Sequence, residues 1–414
     1  MRRAPIAALY YASFAAVALL GLVQTKVLTR VLTPAAYGEL QLVLPFAGVC
    51  LVVGGLGAPQ LVIRYYHRDG VRIFWDVLPV AFGFSTLLGL ALWVVVTSVG
   101  VGLSGLQLGW GLLCLFLASV LASQDYTLLK ALLRAQERHL LYNAVVVGER
   151  VLAVVGVALL VELWVARPVH AYFAGSALGT GLLAALATWR ARIGLPSRLW
   201  PGRDRLIELC IYGAPLVAVI VAGDLFGSAT RYVIVAGGLG TDAVARYVLA
   251  YTISSLAFQA LSEPLMTYLH PRVFRVWESG DRDAVARIVS RGALFYACAG
   301  CVLVALLVMM ERLVIRTVAR VDYYLPPGVF PMVVLAGYVM GFYRFASTHY
   351  YLRRNTTELA LTFVLGLALN VGGAALLISS HGLLGVSVAA LGSTVALSTF
   401  VWWRGRHTVP FRLA

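Results

Sequence analysis

The stretch Arg190-Ala-Arg-Ile-Gly-Leu-Pro-Ser-Arg-Leu-Trp-Pro-Gly-Arg-Asp-Arg-Leu206 is the longest polar break in the middle of this chain. It holds five arginines together with Pro196 and Pro201. Proline breaks helix interiors and arginine is costly in hydrocarbon, so this segment belongs outside a lipid phase. On either side the sequence runs in apolar segments. A bilayer core is about 30 Å thick and a spanning helix needs roughly 20 apolar residues. Six such segments precede the break: 5–23, 39–59, 74–99, 104–125, 142–163 and 169–189. Six follow it: 207–235, 244–268, 288–310, 327–349, 357–378 and 382–403. Lipid cannot satisfy free backbone groups, and these runs are too long and too continuously apolar for barrel strands, so each is expected to be a helix. The expected fold is an all-α polytopic membrane protein of about twelve transmembrane helices in two six-helix lobes. The lobes are 1–190 and 207–414, with 191–206 as the linker.

Composition agrees. Of 414 residues, 61% are hydrophobic and only 12% are charged, too few to give a soluble multi-domain chain its polar surface. An ordinary soluble enzyme and a disordered chain are both excluded. The start, Met1-Arg2-Arg3 followed by an apolar run, reads as a first membrane helix, since no clear cleavage site follows. The five cysteines all lie in apolar runs. Cys298 and Cys301 form a C-x-x-C with no second Cys or His pair nearby, so they read as helix filler, and no metal or cofactor is expected.

The formal net charge of +15 first admits a nucleic-acid partner. Its placement argues otherwise. With the N-terminus inside, 23 of the 33 basic residues fall on inside segments, among them Arg64, Arg68, Arg72, Arg203, Arg205, Arg272, Arg282 and Arg404. Only Lys26, Arg30, Arg167, Arg246, Arg312, Arg316 and Arg320 fall outside. The positive-inside rule therefore sets both termini in the cytoplasm, and most of the basic charge is a topology signal.

Six spans return the chain to the same side, which permits a parallel repeat. Leu32-Thr-Pro-Ala-Ala-Tyr-Gly-Glu-Leu40 and Leu239-Gly-Thr-Asp-Ala-Val-Ala-Arg-Tyr247 each read as a short turn that restarts a helix after the first span of its half.

Lys26-Val-Leu-Thr-Arg-Val-Leu-Thr-Pro-Ala-Ala-Tyr-Gly38, Gly55-Leu-Gly-Ala-Pro-Gln-Leu-Val-Ile-Arg64, Leu132-Leu-Arg-Ala-Gln-Glu-Arg138 and Tyr212-Gly-Ala-Pro215 carry a family resemblance. Taken in order, they resemble the polysaccharide-transport branch of the multidrug/oligosaccharidyl-lipid/polysaccharide exporter superfamily, the O-antigen and exopolysaccharide repeat-unit flippases. The resemblance implies a central cavity between the lobes, lined by spans one, two, seven and eight. It implies a polyprenyl-pyrophosphate-linked oligosaccharide carried from the inner to the outer leaflet by alternating access. One departure stands out: the family's late span-seven Asp-Arg is Thr230-Arg231 here, with Asp224 seven residues earlier.

Charges inside a membrane are functional candidates by default. Arg231 is the leading candidate for the lipid pyrophosphate, which a guanidinium binds well in a dry site. Lys26 and Arg30 stand one turn apart at the outer end of span one, as a second phosphate contact or as snorkelling cations. Arg64 ends span two, as a docking charge or a topology charge. Arg344 stands with Tyr343, His349, Tyr350 and Tyr351, a cluster suited to sugar rings but read here as an interfacial tyrosine belt. Asp224 and Glu263 are candidates for coupling to H+ or Na+. Asp125 closes span four as a partner for Lys130 or Arg150. Pro45, Pro79, Pro215, Pro264 and Pro331 each remove a helical hydrogen bond. Gly175, Gly179 and Gly181 suit close helix packing.

The rival readings are a multidrug or cation antiporter of the same fold and a membrane-embedded transferase acting on the lipid-linked sugar. The transferase needs a polar loop with clustered Asp, Glu or His, and the loops here are short. No G-x-x-x-x-G-K-[ST] occurs, so an ATPase within the chain is not expected. The expected protein is a monomeric, non-enzymatic flippase of a bacterial or archaeal inner membrane. Glycosyltransferases and a polysaccharide polymerase are its expected partners.

Overall fold

The computed structural model describes residues 3–99, 109–164, 167–190, 201–353 and 355–407. Among them every regular element is helical. The first seven are α1 (Arg3–Val31), α2 (Pro34–Gly54), α3 (Ala58–Asp69), α4 (Arg72–Val99), α5 (Trp110–Ala135), α6 (His139–Leu163) and α7 (Pro168–Arg190). Next come α8 (Arg203–Ala236), α9 (Gly240–Glu278), α10 (Arg282–Met309) and α11 (Glu311–Val318), then a 3-10 turn at Val321–Tyr323. The last are α12 (Val329–Ala346), α13 (Thr348–Leu352) and α14 (Thr356–Gly405). Gly382, at φ 55° and ψ −135°, breaks α14 into two limbs. With both limbs counted, the long helices match the twelve expected spans. Nine segments among the described residues are long and apolar enough to cross a membrane. This is a multi-pass membrane protein.

Helix ends follow local chemistry. Thr33 caps α2 by accepting the Ala36 amide at 3.3 Å, with Pro34 at the first helical position. Leu239 precedes α9, and Gly240 takes φ 79°. Both repeat stretches are therefore helix restarts. The halves then diverge, because α9 runs unbroken to Glu278 whereas the expected span 39–59 stops at Gly54. Leu56 (φ 47°) and Gly57 (φ 66°) turn the chain there, and Pro59 opens the amphipathic α3. Pro331 lies in the first turn of α12, where no intrahelical N–H bond is lost, so it removes nothing there. Of span four, 104–108 lie outside the described residues. Of the linker 191–206, 191–200 lie outside them, and α8 begins at Arg203.

The chain divides into two compact units, residues 19–224 and residues 1–18 with 225–414. In the first, α6 and α7 meet through glycines: a Cβ on Gly175 would fall 2.6 Å from backbone atoms of Gly156 and Val157. Gly179 approaches the Leu152 backbone in the same way, while at Gly181 there is only ordinary contact with Ala122. The break after α2 is held by a buried polar node. Gln124 Nε2 donates to Leu51 O at 2.7 Å and to Ser85 Oγ at 2.8 Å, and Ser85 Oγ donates to Cys50 O at 3.0 Å. Gly213 of α8 packs on the Leu56 carbonyl, so two of the family-like stretches meet.

Arg205 of α8 is the centre of a charge cluster in the same unit. It pairs with Asp69 of α3, with Asp76 of α4 at 3.5 Å and with Glu208 at 2.6 Å. Arg68 reaches Asp69 at 2.9 Å and Glu208 at 3.1 Å. The Tyr65 ring lies 4.6 Å from the Arg68 guanidinium and 4.9 Å from that of Arg205.

In the second unit, α9, α10, α12 and α14 pack together. Tyr296 of α10 donates to Tyr338 O at 2.9 Å, and Tyr338 donates back to Ala297 O at 3.1 Å. Gly341 leaves room for the Tyr296 hydroxyl. Arg404 of the second α14 limb pairs with Glu358 of the first, which ties the limbs antiparallel.

Candidate functional site

The second unit contains a cavity of about 100 Å³ whose wall is mostly apolar, with hydroxyl and amide groups set into it. It is built largely by α9, whose lining residues Tyr247, Tyr251, Ser254, Ser255, Phe258, Gln259 and Ser262 recur every three or four positions and so share one helical face. The end of α8 adds Phe226, Gly227 and Thr230; α12 adds the apolar Val333, Ala336 and Met340 with Gly337, Gly341 and Arg344; α14 adds Asn370, Ala390 and Thr394. Small residues set the wall. Gly337 admits Ser254, whose Oγ donates to Val333 O at 3.2 Å. Asn370 crosses from α14 to α8, its Nδ2 donating to Phe226 O and to Thr230 Oγ1, both at 3.2 Å. Its Oδ1 is buried without a hydrogen-bond partner among the described residues. Buried amides and hydroxyls need partners, so this cavity suits waters or the hydroxyl and phosphate groups of a ligand.

Arg344 lines one side of the cavity and ion-pairs with Glu263 of α9. The sequence reading gave these two residues separate roles; the fold brings them together. The tyrosine-belt reading is corrected. Tyr343, His349 and Tyr350 are buried within the protein, and only Tyr351 is exposed. Tyr343 packs on Phe363 at 4.9 Å, and His349 packs on Tyr350 at 3.9 Å.

The other candidates are not among the residues that line this cavity. Arg231 is half-buried on α8, and its neighbour Thr230, not Arg231 itself, lines the wall. Asp224 is an exposed residue of the same helix. Lys26 is half-buried and Arg30 exposed on α1, beside the buried Thr25 and Thr29, whose hydroxyls bond back to Gly21 O and Thr25 O at 2.9 Å. Arg64 is exposed on α3. Asp125 forms no ion pair with Lys130 or Arg150 among the described residues. Lys130 feels the charge of Glu149 instead, and Glu149 accepts from Thr180 at 3.1 Å. No three His, Cys, Asp or Glu side chains gather as a metal site among the described residues.

Sequence reasoning missed Asn370, Thr230 and the α9 stripe. The usable signal was Tyr247, Tyr251, Ser254, Ser255, Gln259 and Ser262 recurring on one face of an otherwise apolar helix.

This all-helical fold is that of the transporters it resembles among solved structures. An inward-facing multidrug resistance MATE family transporter of the MOP superfamily superposes with a TM-score of 0.75 at 15% identity, over 95% of this chain and 94% of that one. The lipid II flippase MurJ in an inward closed conformation gives 0.75 at 13% identity, over 96% and 87%. A mutant of the Vibrio cholerae MATE transporter VcmN gives 0.66 at 12%, over 99% and 98%. Residues 7–277 match the family described as polysaccharide biosynthesis protein, and the chain belongs to that family. No curated protein matches it by sequence.

Proposed function

We propose that this protein is a flippase that moves a polyprenyl-pyrophosphate-linked oligosaccharide from the inner to the outer leaflet of a bacterial or archaeal inner membrane by alternating access, for synthesis of a surface polysaccharide. The observation that carries this reading is an apolar, multi-pass chain of the polysaccharide biosynthesis family whose cavity sets hydroxyls, amides and an arginine into a mostly apolar wall. The likeness in fold to a protein named a lipid II flippase supports it. In this reading Arg231, Lys26, Arg30, Arg64 and Arg344 meet the pyrophosphate or the sugars, and Asp224 and Glu263 couple transport to H+ or Na+. Residues 1–190 and 207–414 are the two lobes, 191–206 is their cytoplasmic linker, and both termini are cytoplasmic. The chain works as a monomer. Glycosyltransferases build its cargo and a polymerase consumes it; the chain itself transports and does no chemistry.

The likeness to multidrug transporters favours a second reading, a drug or cation antiporter. Deletion of the gene separates the two. The flippase reading expects loss of surface polysaccharide, accumulation of the lipid-linked oligosaccharide, and restoration of both by the intact gene. Normal polysaccharide with new drug sensitivity would establish the antiporter instead.

A further inference from the structure

We propose that Arg344 and Glu263 form an exchangeable pair. A phosphate group of the cargo takes Arg344 from Glu263, and the released carboxylate takes up one proton from water. Binding and coupling then become one event at one place. This inference rests on the reading of Arg344 as a cargo-binding residue and adds to it the fate of Glu263.

The pair is built for exchange. Among the described residues, its one contact runs from Arg344 Nη1 to Glu263 Oε1. A guanidinium has five N–H donors in a fork that fits phosphate bidentately, so a single contact leaves most of the fork open. Arg344 also lines the cavity, and its side chain and that of Glu263 are 32% and 35% exposed. A structural ion pair sealed in a core would offer an entering anion neither approach. Pro264 follows Glu263 inside α9 and cannot donate to the helical ladder, which loosens the backbone beside the carboxylate.

The proton follows from electrostatics. A carboxylate that has lost the cation it was paired with, in an apolar setting and beside a bound anion, is driven towards its neutral form by both effects. Among the described residues, His270 on α9, Tyr296 on α10 and Tyr351 on α13 also act on the pair. None carries a fixed positive charge that would replace Arg344. His270 is the nearest imidazole, and its buried Nε2 has no hydrogen-bond partner among the described residues, so it is the competing proton acceptor.

The test uses the full-length protein in lipid nanodiscs with geranyl pyrophosphate as the probe. Binding is measured calorimetrically at pH 7 in two buffers of different ionisation enthalpy, with empty nanodiscs as the blank. Wild type is expected to take up about one proton per probe bound. Glu263→Gln keeps the shape of the site; it is expected to bind at least as tightly with almost no uptake. His270→Gln is expected to retain the uptake. Arg344→Ala is expected to bind about tenfold more weakly or worse. The wild-type measurement needs no variant to fold. The proposal is overturned by wild-type binding without proton uptake, by uptake that survives Glu263→Gln, or by failure of wild type to bind the probe. If the probe binds with proton uptake but lipid-linked oligosaccharide is not moved in proteoliposomes, the flippase reading falls and the exchangeable pair stands.

Discussion

Arg344 of α12 and Glu263 of α9, 81 residues apart in sequence, are joined by a nitrogen–oxygen contact beside the cavity. Each is about one-third exposed, so the pair is discounted for solvent and its coupling is expected to be about 1 kcal/mol. A double-mutant cycle with Glu263→Gln and Arg344→Gln, read by thermal unfolding in detergent, is expected to recover that coupling. Strictly additive variants would show that the pair contributes nothing to the resting protein.

Gly213 marks where α8 touches the turn after α2. A Cβ there would stand 2.0 Å from the Leu56 carbonyl oxygen. Gly213→Ala must push α8 off that turn, and overpacking of this kind costs about 1–3 kcal/mol. Gly372→Ala is the control, because nothing lies within 4 Å of its Cβ position. The melting temperature is expected to fall for the first variant and to hold for the second. Equal behaviour of the two would contradict the close approach.

Arg205 joins Asp69, Asp76 and Glu208, and its side chain is only 16% exposed. Removing it leaves three carboxylates without their shared cation. Arg205→Ala is expected to cost about 1–3 kcal/mol, below the range for a fully buried pair. Arg72, 74% exposed and 3.9 Å from Asp76, is expected to tolerate alanine within about 0.5 kcal/mol. Denaturation of the two variants side by side checks the ranking, and an indifferent Arg205→Ala would remove the cluster from the account.

The helices were legible in the sequence because lipid leaves the backbone so little choice. Runs of about 20 apolar residues locate α1, α2, α4 to α7 and the later long helices, although α1, α5 and α9 continue past the expected span ends at 23, 125 and 268 to Val31, Ala135 and Glu278. The break at Leu56 was signalled by Gly55, Gly57 and Pro59, yet the span reading carried apolar character through it to residue 59. The cavity was less legible. Averaging along α9 hides a stripe that is polar on one face only. The Glu263–Arg344 contact joins two helices, and nothing local to either residue names the other. Arg205 read as one topology charge among many, although the fold makes it a hub. The buried Tyr343, His349 and Tyr350 looked interfacial because aromatic residues at a span end do the same in many membrane helices.

Arg231 carries the pyrophosphate role in the flippase reading. At normal expression, Arg231→Ala is expected to reduce transport about tenfold or more. Arg231→Lys is expected to fall between it and wild type, since a point charge replaces a bidentate fork. Transport of the lipid-linked oligosaccharide, normalised to protein in the membrane, is the readout. Full activity in both variants would remove Arg231 from the binding site.

The central claim is that this chain moves a lipid-linked oligosaccharide across a bilayer. Its most direct test is leaflet exchange in proteoliposomes. Purified protein is reconstituted with the polyprenyl-pyrophosphate-linked oligosaccharide from the host, and the fraction of sugar accessible to an external glycosidase is followed over time. The account predicts that accessibility rises from about half to nearly all with the protein present, and stays near half in liposomes without it. Identical time courses with and without the protein would contradict it.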